Sequence, residues 1–336
     1  MKLSTHLLAN KAIPLANNLP GVIKAALLIA VTLSFNAYSA EQVSKQVAVS
    51  GSPNIDVQVQ RGSVQIIGWD KNEVSVTGTL DELSEGLIFK QRGNNIEIED
   101  KMPKQYQGNN KQGSNLIIKV PNELQLEAEG VSANYSLHDL QGKVELEVVS
   151  GNIEAKKISG DTELTTVSGH INSQNTQGKL ELESVSGNIK DINSMGKISY
   201  RLVSGDLRAS SKATKASVET VSGDIRGQFS DVGKVKVVTV SGDVELGFSD
   251  SLRKGHIESV SGNLSIGFST MPSMQVSIAG GPGGKIRNKL TEDKPVKPKY
   301  MPSSELNFVA GSGDGKLSVE TISGNITVKN AQVTVD

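Results

Sequence analysis

Three regularly spaced aspartates are the residues of this sequence that come nearest to a metal site. Asp206, Asp224 and Asp243 each follow a glycine. If their segments stack as strands, the side chains would stand ~4.8 Å apart, and carboxylates that close repel one another or attract a cation. One hypothesis is therefore a row of Ca²⁺ ligands. We favour the alternative that they cap turns by accepting backbone N–H bonds, because Asn and His fill the equivalent places in other segments.

Other charged residues divide by sign around the same glycines. Acidic residues precede a glycine and basic residues follow it, and each set would share one face of a stack. Such faces are usually only solvated. The functional alternative is a bipolar surface, with a basic stripe for anionic glycans or lipid headgroups and an acidic stripe for divalent cations. The acidic set is Glu145, Glu147, Glu163, Glu181 and Glu183, with Glu219 and Glu258 further along, and the basic set is Lys156, Lys190, Arg208 and Arg226.

Enzymatic chemistry finds little support in the residue types. The chain has no Cys and only four His, and contains neither H-E-x-x-H nor G-x-S-x-G. Glycoside hydrolysis needs two carboxylates that flank a cleft, whereas these carboxylates form ladders. We therefore expect a protein that is not an enzyme, with no catalytic residue and no cofactor. A polysaccharide-active β-helix enzyme is the least favoured alternative.

Charge and the first 40 residues bear on where the protein acts. Lys+Arg number 35 against 36 Asp+Glu, and so balanced a charge argues against a nucleic-acid partner. Residues 1–40 carry lysines, an apolar run from Ala25 to Phe35 and then small residues. That run is shorter than the ~20 residues of a membrane span. The layout predicts a signal peptide cleaved after Ser39 or Ala40, and hence export to the periplasm or the cell surface, with no membrane span in the mature chain.

A repeated tetrapeptide defines the architecture. V/I-S-G-D/N/H recurs at spacings of 18 to 20 residues before a longer final gap. We number positions from the glycine of each copy as position 0. The apolar positions are −7, −5, −2, +2 and often +4, a spacing of two on either side of a turn that is typical of paired strands rather than helices. The principal glycines are Gly151, Gly169, Gly187, Gly205, Gly223, Gly242, Gly262 and Gly324, and we expect them to form structural turns.

A unit of 18 residues cannot bury a core alone, so the copies must stack and share one. The sequence thus predicts an all-β fold, a single-stranded parallel β-solenoid (β-helix) with rungs of ~18 residues, irregular N-terminal strands and one late loop insertion. Its regions are a signal peptide at 1–40, an irregular N-terminal strand and capping region at 41–140, and regular repeats at 141–270. A Gly/Pro/Lys-rich insertion at 271–310 and a final rung with a C-terminal cap at 311–336 complete the chain.

The order of these motifs resembles a known family. A strand pair with Gly62–Asp70 (GSVQIIGWD), then Lys119-Val120-Pro121, then the train of V-S-G-D/N-I units resembles the exported bacterial β-strand-repeat family named "putative adhesin", a domain of unknown function. The resemblance covers about 43–336. It implies a solenoid of the cell surface or envelope and assigns no catalytic residues.

We therefore expect a non-enzymatic exported β-solenoid that is an adhesin-like binding or structural protein of the bacterial cell envelope. Its ligand would be an envelope or cell-surface protein or an anionic glycan, bound by weak contacts repeated along the coils. The alternative is a periplasmic accessory or regulatory protein that binds a membrane partner. Because loops that interrupt a solenoid collect on one face, the insertion is the best candidate for a specific contact, through Lys285, Arg287 and Lys289.

Overall fold

A computed structural model describes residues 41–105, 112–300 and 302–335 of the chain. The expected signal peptide at 1–40 lies outside these residues. Within them, no helix is long and apolar enough to cross a membrane. Every regular element there is a β-strand, so the expected all-β class is confirmed.

The strands follow one another closely along the chain. In order they are β1 Gln42–Ala48, β2 Asn54–Gln58, β3 Arg61–Trp69, β4 Glu73–Thr79, β5 Leu87–Arg92, β6 Asn95–Asp100, β7 Ser114–Pro121, β8 Glu123–Gly130, β9 Ser132–His138, β10 Gln141–Ser150, β11 Ile153–Lys156, β12 Ser159–Ser168, β13 Ile171–Gln174, β14 Gln177–Ser186, β15 Ile189–Ser204, β16 Leu207–Ser222, β17 Ile225–Phe229, β18 Lys234–Ser241, β19 Val244–Phe248, β20 Lys254–Ser261, β21 Leu264–Phe268, β22 Met274–Gly280, β23 Ile286–Lys289, β24 Ser304–Ala310, β25 Gly315–Ser323 and β26 Ile326–Asn330.

Each repeat forms one coil with two sides. The segment before the principal glycine runs along a long-strand face, made of β8, β10, β12, β14, the second halves of β15 and β16, β18, β20 and β25. The segment after it runs along a short-strand face, made of β9, β11, β13, the first halves of β15 and β16, β17, β19, β21 and β26. Neighbouring coils pair in parallel, with Leu146, Leu164 and Leu182 in register. The solenoid-like repeat is thus as predicted.

The sheet as a whole is mixed in orientation, so the expectation of a purely parallel solenoid needs correction. Four pairings are antiparallel: β1 with β4, β4 with β7, β5 with β6, and β22 with β24. All lie outside the regular coils, towards one end of the stack or the other. Antiparallel strands there occupy the hydrogen-bonding edges that a stack of parallel coils would otherwise leave open.

On the long-strand face, the residues that point inward are not all those that the sequence pattern suggests. Positions −7, −5 and −3 face the core, whereas the β-branched residue at −2 is exposed: Val149 has 51% of its surface accessible and Val185 has 38%. The reason is the two-residue alternation of a strand. Inward residues at −7 and −5 place −3 inward and −2 outward, and the strand continues in this phase up to the corner.

The buried position −3 is often a hydroxyl residue. Thr166 Oγ1 donates to the Gly151 carbonyl at 3.2 Å, and Thr220 Oγ1 donates to the Ser222 carbonyl. A threonine here buries its methyl group and satisfies a polar atom at the corner, which is why the position does not look apolar in the sequence.

Close stacking explains the corner glycines. A Cβ atom on Gly205 would lie 2.2 Å from the carbonyl oxygen of Gly187, and the φ angle of Gly205 is +143°. Gly169 lacks a positive φ, yet a Cβ there would stand 1.9 Å from the Gly151 carbonyl oxygen. Contact between coils, rather than a left-handed backbone alone, therefore demands glycine.

The end of the solenoid is built out of chain order. Strands β25 and β26 pair with β20 and β21, and β22 and β23 pair on their far side. The stretch 271–310 is thus more than a loop, since it contains three strands and forms the next coil. Its Gly281 and Gly284 pack against the backbone of Ile322 and Gly324, so the glycine cluster is one more stacked corner.

Candidate functional site: the outward side of the long-strand face

The aspartates proposed for Ca²⁺ lie on the corner between the two faces and bond to backbone. Asp206 Oδ1 accepts from the Asp224 N–H at 3.0 Å, and Asp224 Oδ1 accepts from the Asp243 N–H at 2.9 Å. Asp243 continues the series to the next coil at 2.8 Å. Carboxylates that accept backbone N–H bonds at a corner have the geometry that the turn-capping hypothesis requires. No cluster of three or more metal-ligating side chains occurs within 41–105, 112–300 and 302–335.

Four outward positions per coil form columns along the long-strand face. Counted from the corner glycine they are −8, −6, −4 and −2, and each column runs from coil to coil at a spacing of ~4.8 Å. Position −8 holds Lys143, Asp161, Lys179, Lys197, Lys215, Lys234, Lys254 and Lys316, and position −6 holds Glu145, Glu163, Glu181, Ser199, Ser217, Lys236, His256 and Ser318.

In the first coils the lysines are neutralised within their own strand. Lys143 Nζ lies 2.8 Å from Glu145 Oε2, and Lys179 Nζ lies 2.6 Å from Glu181 Oε1. The hydrogen bond to Glu145 raises the pKa of Lys143, and the bond from Lys179 lowers the pKa of Glu181. Residues two apart on a strand point the same way, which makes this pairing available wherever Glu occupies −6.

In the later coils that carboxylate is missing. From Lys197 to Lys316, five consecutive coils carry lysine at −8, while −6 carries only Ser, Lys or His. Those five lysines form no ion pair with any residue that the structure describes, although carboxylates remain at −4, where Glu219 pairs with Lys236 at 3.1 Å and Glu258 with His256 at 2.7 Å. A continuous cationic column results, which we call the lysine column.

A groove crosses the same surface at its C-terminal end. It has a volume of ≈ 860 Å³ and lies over five neighbouring strands, β18, β20, β25, β22 and β24. Each strand contributes two outward side chains and the residue between them. The lining residues are Lys234, Val235, Lys236, Lys254, Gly255, His256, Gln275, Val276, Ser277, Asn307, Phe308, Val309, Lys316, Leu317 and Ser318.

Position −2 adds an apolar stripe beside these polar columns, which we call the valine stripe. Its members share a β-branched side chain and an exposure between 38% and 63%. Nine of them on successive coils span roughly 38 Å at the strand spacing. They are Val131, Val149, Val167, Val185, Val203, Val221, Val240, Val260 and Ile322.

The chain matches a known protein family. The family model for the Toastrack domain of unknown function 4097 matches residues 53–329. The chain belongs to the Toastrack family. The resemblance inferred from the repeat motifs is thereby confirmed, while comparison with curated proteins yields no match.

Solved structures similar to this Toastrack chain come from bacteria. A "putative lipid binding protein" from Parabacteroides distasonis is 16% identical, with 85% of this chain and 96% of that chain covered and a TM-score of 0.43. A "putative adhesin" from the same organism is 13% identical, with 87% and 98% covered and a TM-score of 0.42. Neither likeness is close enough to carry an inference about a ligand.

The basic residues singled out in the sequence are only partly brought together in the Toastrack fold. Lys190, Arg208 and Arg226 stand in register on the short-strand face, whereas Lys156 aligns with Gln174. Lys156 and Arg226 also contact carboxylates, Glu154 and Glu245 respectively.

The residues proposed for partner contact lie at the C-terminal end of the Toastrack coils. Arg287 and Lys289 are exposed on β23, and Lys285 is exposed just before it. They are on the short-strand side, away from the groove. Sequence reasoning missed the lysine column, although aligning the copies on their glycines would have revealed lysine at −8.

One strongly perturbed group lies inside the Toastrack core. Asp191 has no exposed surface, and burial raises its pKa, although it accepts hydrogen bonds from Ser194 Oγ at 2.5 Å and Tyr200 Oη at 2.7 Å. Burial and the neighbouring carboxylate also raise the pKa of Tyr200. Perturbed groups often mark reactive sites, but both side chains of this pair are enclosed in the core, away from the surface where a substrate would bind.

Proposed function

We propose that this protein is a non-enzymatic, exported binding protein of the bacterial cell envelope that attaches through contacts repeated along its coils. The observation that carries the proposal is the valine stripe. Apolar side chains that serve the core would face inward, and these nine face outward. An apolar stripe that long on a soluble surface is typical of an interaction site.

Repetition supplies the binding mechanism. Each exposed valine offers only a small apolar contact, but nine lie on one rigid backbone with a fixed spacing. Once the first contact forms, the others bind at a high effective concentration, so weak individual contacts add up to a firm attachment. A rigid stack of coils suits this role because it keeps the spacing constant.

The chemistry of the carboxylates favours binding over catalysis. Glu145 and Glu181 are engaged with lysines on an exposed face, and the perturbed Asp191 is enclosed in the core. A general acid must reach its substrate with a suitable pKa. The carboxylates that are accessible and the one that is strongly perturbed are different residues.

The test is binding to purified cell envelopes. We expect the triple variant Val185→Ser, Val203→Ser and Val221→Ser to bind envelopes more weakly than the wild type by about tenfold or more, since avidity multiplies the loss of each contact. Sedimentation of the labelled protein with envelopes measures this. Cell fractionation with protease shaving of intact cells tests export and separates the periplasm from the surface.

A matched control uses the neighbouring corner position. Ser186→Ala, Ser204→Ala and Ser222→Ala change exposed residues of the same three coils and leave the stripe intact. Equal binding by both triple variants, or no envelope binding by the wild type, would refute the proposed function.

A further inference from the structure

The lysine column carries an electrostatic cost that the fold does not require. Lys197, Lys215 and Lys234 stand directly opposite one another on neighbouring strands, and Lys254 and Lys316 continue the line. Like charges that face each other across strands are destabilising. Asp161 occupies the same position in an earlier coil, so the backbone accepts other residues there.

A glutamate at −6 would reduce this repulsion between lysines, and the later coils have none at that position. A glutamate at −6 pairs with Lys143 and with Lys179. In the coils that follow, Ser199, Ser217 and Ser318 take that position with their hydroxyl groups. The result is a strip two side chains wide, at −8 and −6, that presents hydrogen-bond donors and no carboxylate through five coils.

The groove extends this strip beyond the last lysine. Its β22 and β24 strands contribute Gln275, Ser277 and Asn307, which are neutral hydrogen-bonding side chains, together with Phe308 and Val309. Five strands at ~4.8 Å make the groove roughly 19 Å long, parallel to the solenoid axis. The charged side chains that line it are Lys234, Lys236, Lys254 and Lys316, all of one sign.

We propose that the lysine column and this groove bind a linear polysaccharide that carries carboxylates. Evenly spaced cations on a straight line fit anions that recur along a polymer. The serine, glutamine and asparagine side chains fit the neutral hydroxyl groups that sugars place between the anions. The groove is long enough to hold a stretch of chain rather than a single headgroup. This inference rests on the proposed function and names the ligand class and place of contact for one part of the same face.

The experiment measures binding of the full mature chain to polygalacturonate, with dextran as the neutral polymer and galacturonic acid as the monomer. We expect polygalacturonate to bind, dextran and the monomer to bind far more weakly, and the affinity to fall as salt is raised. The double variant Lys234→Ser and Lys254→Ser should raise the dissociation constant by about tenfold, which corresponds to ~1.4 kcal/mol.

The matched control removes the same charge from position −8 of two earlier coils, outside the lysine column. Lys143→Ser and Lys179→Ser delete two lysines that already pair with glutamates, so binding should change by less than about twofold. A further variant, Lys234→Arg and Lys254→Arg, keeps the charge and should keep binding. Thermal melting confirms that each variant folds.

Several outcomes would overturn the inference. They are equal loss in the two Lys→Ser pairs, dextran binding as tightly as polygalacturonate, or preference for polyphosphate, an acidic peptide or anionic vesicles over the polyuronate. The envelope assay separates this failure from that of the proposed function. If the triple valine variant loses envelope binding while the two Lys→Ser pairs lose equal affinity for polygalacturonate, only the polysaccharide site is rejected.

Discussion

The coils around Lys143 and Lys179 and those around Lys215 and Lys234 share a backbone register and the valine stripe, but they differ in their outward charges, core filling and corner residues. In the first region, outward lysines pair with glutamates, the core holds the Asp191–Tyr200 cluster, and the corner ladder contains His170. In the second, the lysines at −8 form no ion pair and the corner carries aspartates. Its core contains a row of three phenylalanines, Phe229, Phe248 and Phe268, with ring centroids 6.2 and 5.9 Å apart, the first pair stacked and the second tilted.

This difference separates what the fold needs from what it tolerates. The corner glycines and the strand register are common to both regions because stacking permits no alternative. The core filling and the outward residues at −8 and −6 vary, because a core accepts different apolar side chains of suitable total volume and the surface accepts different polar ones. Outward positions are therefore where a specific function can be added to a coil.

The largest expected effect tests the core of the second region. Phe248→Ala should lower the free energy of unfolding by about 3–5 kcal/mol, since it removes the central ring of the phenylalanine row and leaves a cavity. Leu182→Ala is the counterpart in the first region, and we expect it to cost less because the contacts of a leucine are fewer. Denaturant melting measures both. A larger loss for Leu182→Ala would contradict the view that the phenylalanine row is the stronger core.

The buried carboxyl of Asp191 in the first region should make the stability of the fold depend on pH. The folded-state pKa of Asp191 lies above its unfolded value of about 3.9. Its stabilising contribution is therefore complete below that value and is lost as pH rises through the folded-state pKa. Asp191→Asn should raise the melting temperature at pH 8 and leave it nearly unchanged at pH 3.

Asp161→Asn serves as the control for this prediction because Asp161 is exposed in the same region. It should leave the pH dependence as it is in the wild type. A melting curve of Asp191→Asn that follows the wild type at both pH values would show that the carboxyl is not strained by burial.

The corner ladder offers a smaller effect. His170 Nδ1 accepts a hydrogen bond from the Asn188 N–H at 3.0 Å. His170→Ala should lower the free energy of unfolding by about 1 kcal/mol, because it leaves the Asn188 N–H without this acceptor. His170→Asn should keep most of that stability, since Asn152 and Asn188 accept the equivalent bond in neighbouring coils. Denaturant melting measures both variants, and an equal loss in the two would show that this bond does not stabilise the corner.

The smallest effect has opposite sign in the two regions. Lys234→Ser should stabilise the fold slightly, by about 0.2–1 kcal/mol, because it relieves repulsion between facing lysines. Lys143→Ser should destabilise slightly, because Glu145 loses its partner. Both differences should shrink in 1 M salt. The same sign for both variants in low-salt melting would show that the column is not electrostatically strained.

Much of this architecture could be predicted from the sequence because one physical requirement repeats. Corner glycines at Gly151, Gly169 and Gly187 and aliphatic residues at −5 mark stacked coils. The side chain beside the glycine indicates turn capping, and Asp206 and Asp224 do cap the next coil. The family resemblance added order to these motifs but no site.

Other features could not be predicted from the sequence, because they depend on which residues of a strand point inward or on pairing between segments far apart in the chain. Val149 looks like a core residue until the strand is seen to continue to the corner, where Val148 takes the inward place. The final coil, β25 and β26, follows the insertion as predicted, but the packing of β22 and β23 on its far side could not be predicted, because residues 271–310 carry no V-S-G motif. The lysine column emerges only when copies 18 to 20 residues apart are placed side by side.

The position of β25 between β20 and β22, and of β26 between β21 and β23, has a consequence for the order of folding. The coils up to Phe268 can each pack on the one before. Residues 274–289 cannot, because the parallel strands that they pair with follow them in the chain. A chain cut short at Ala310 would therefore carry β22 and β23 without their parallel partners.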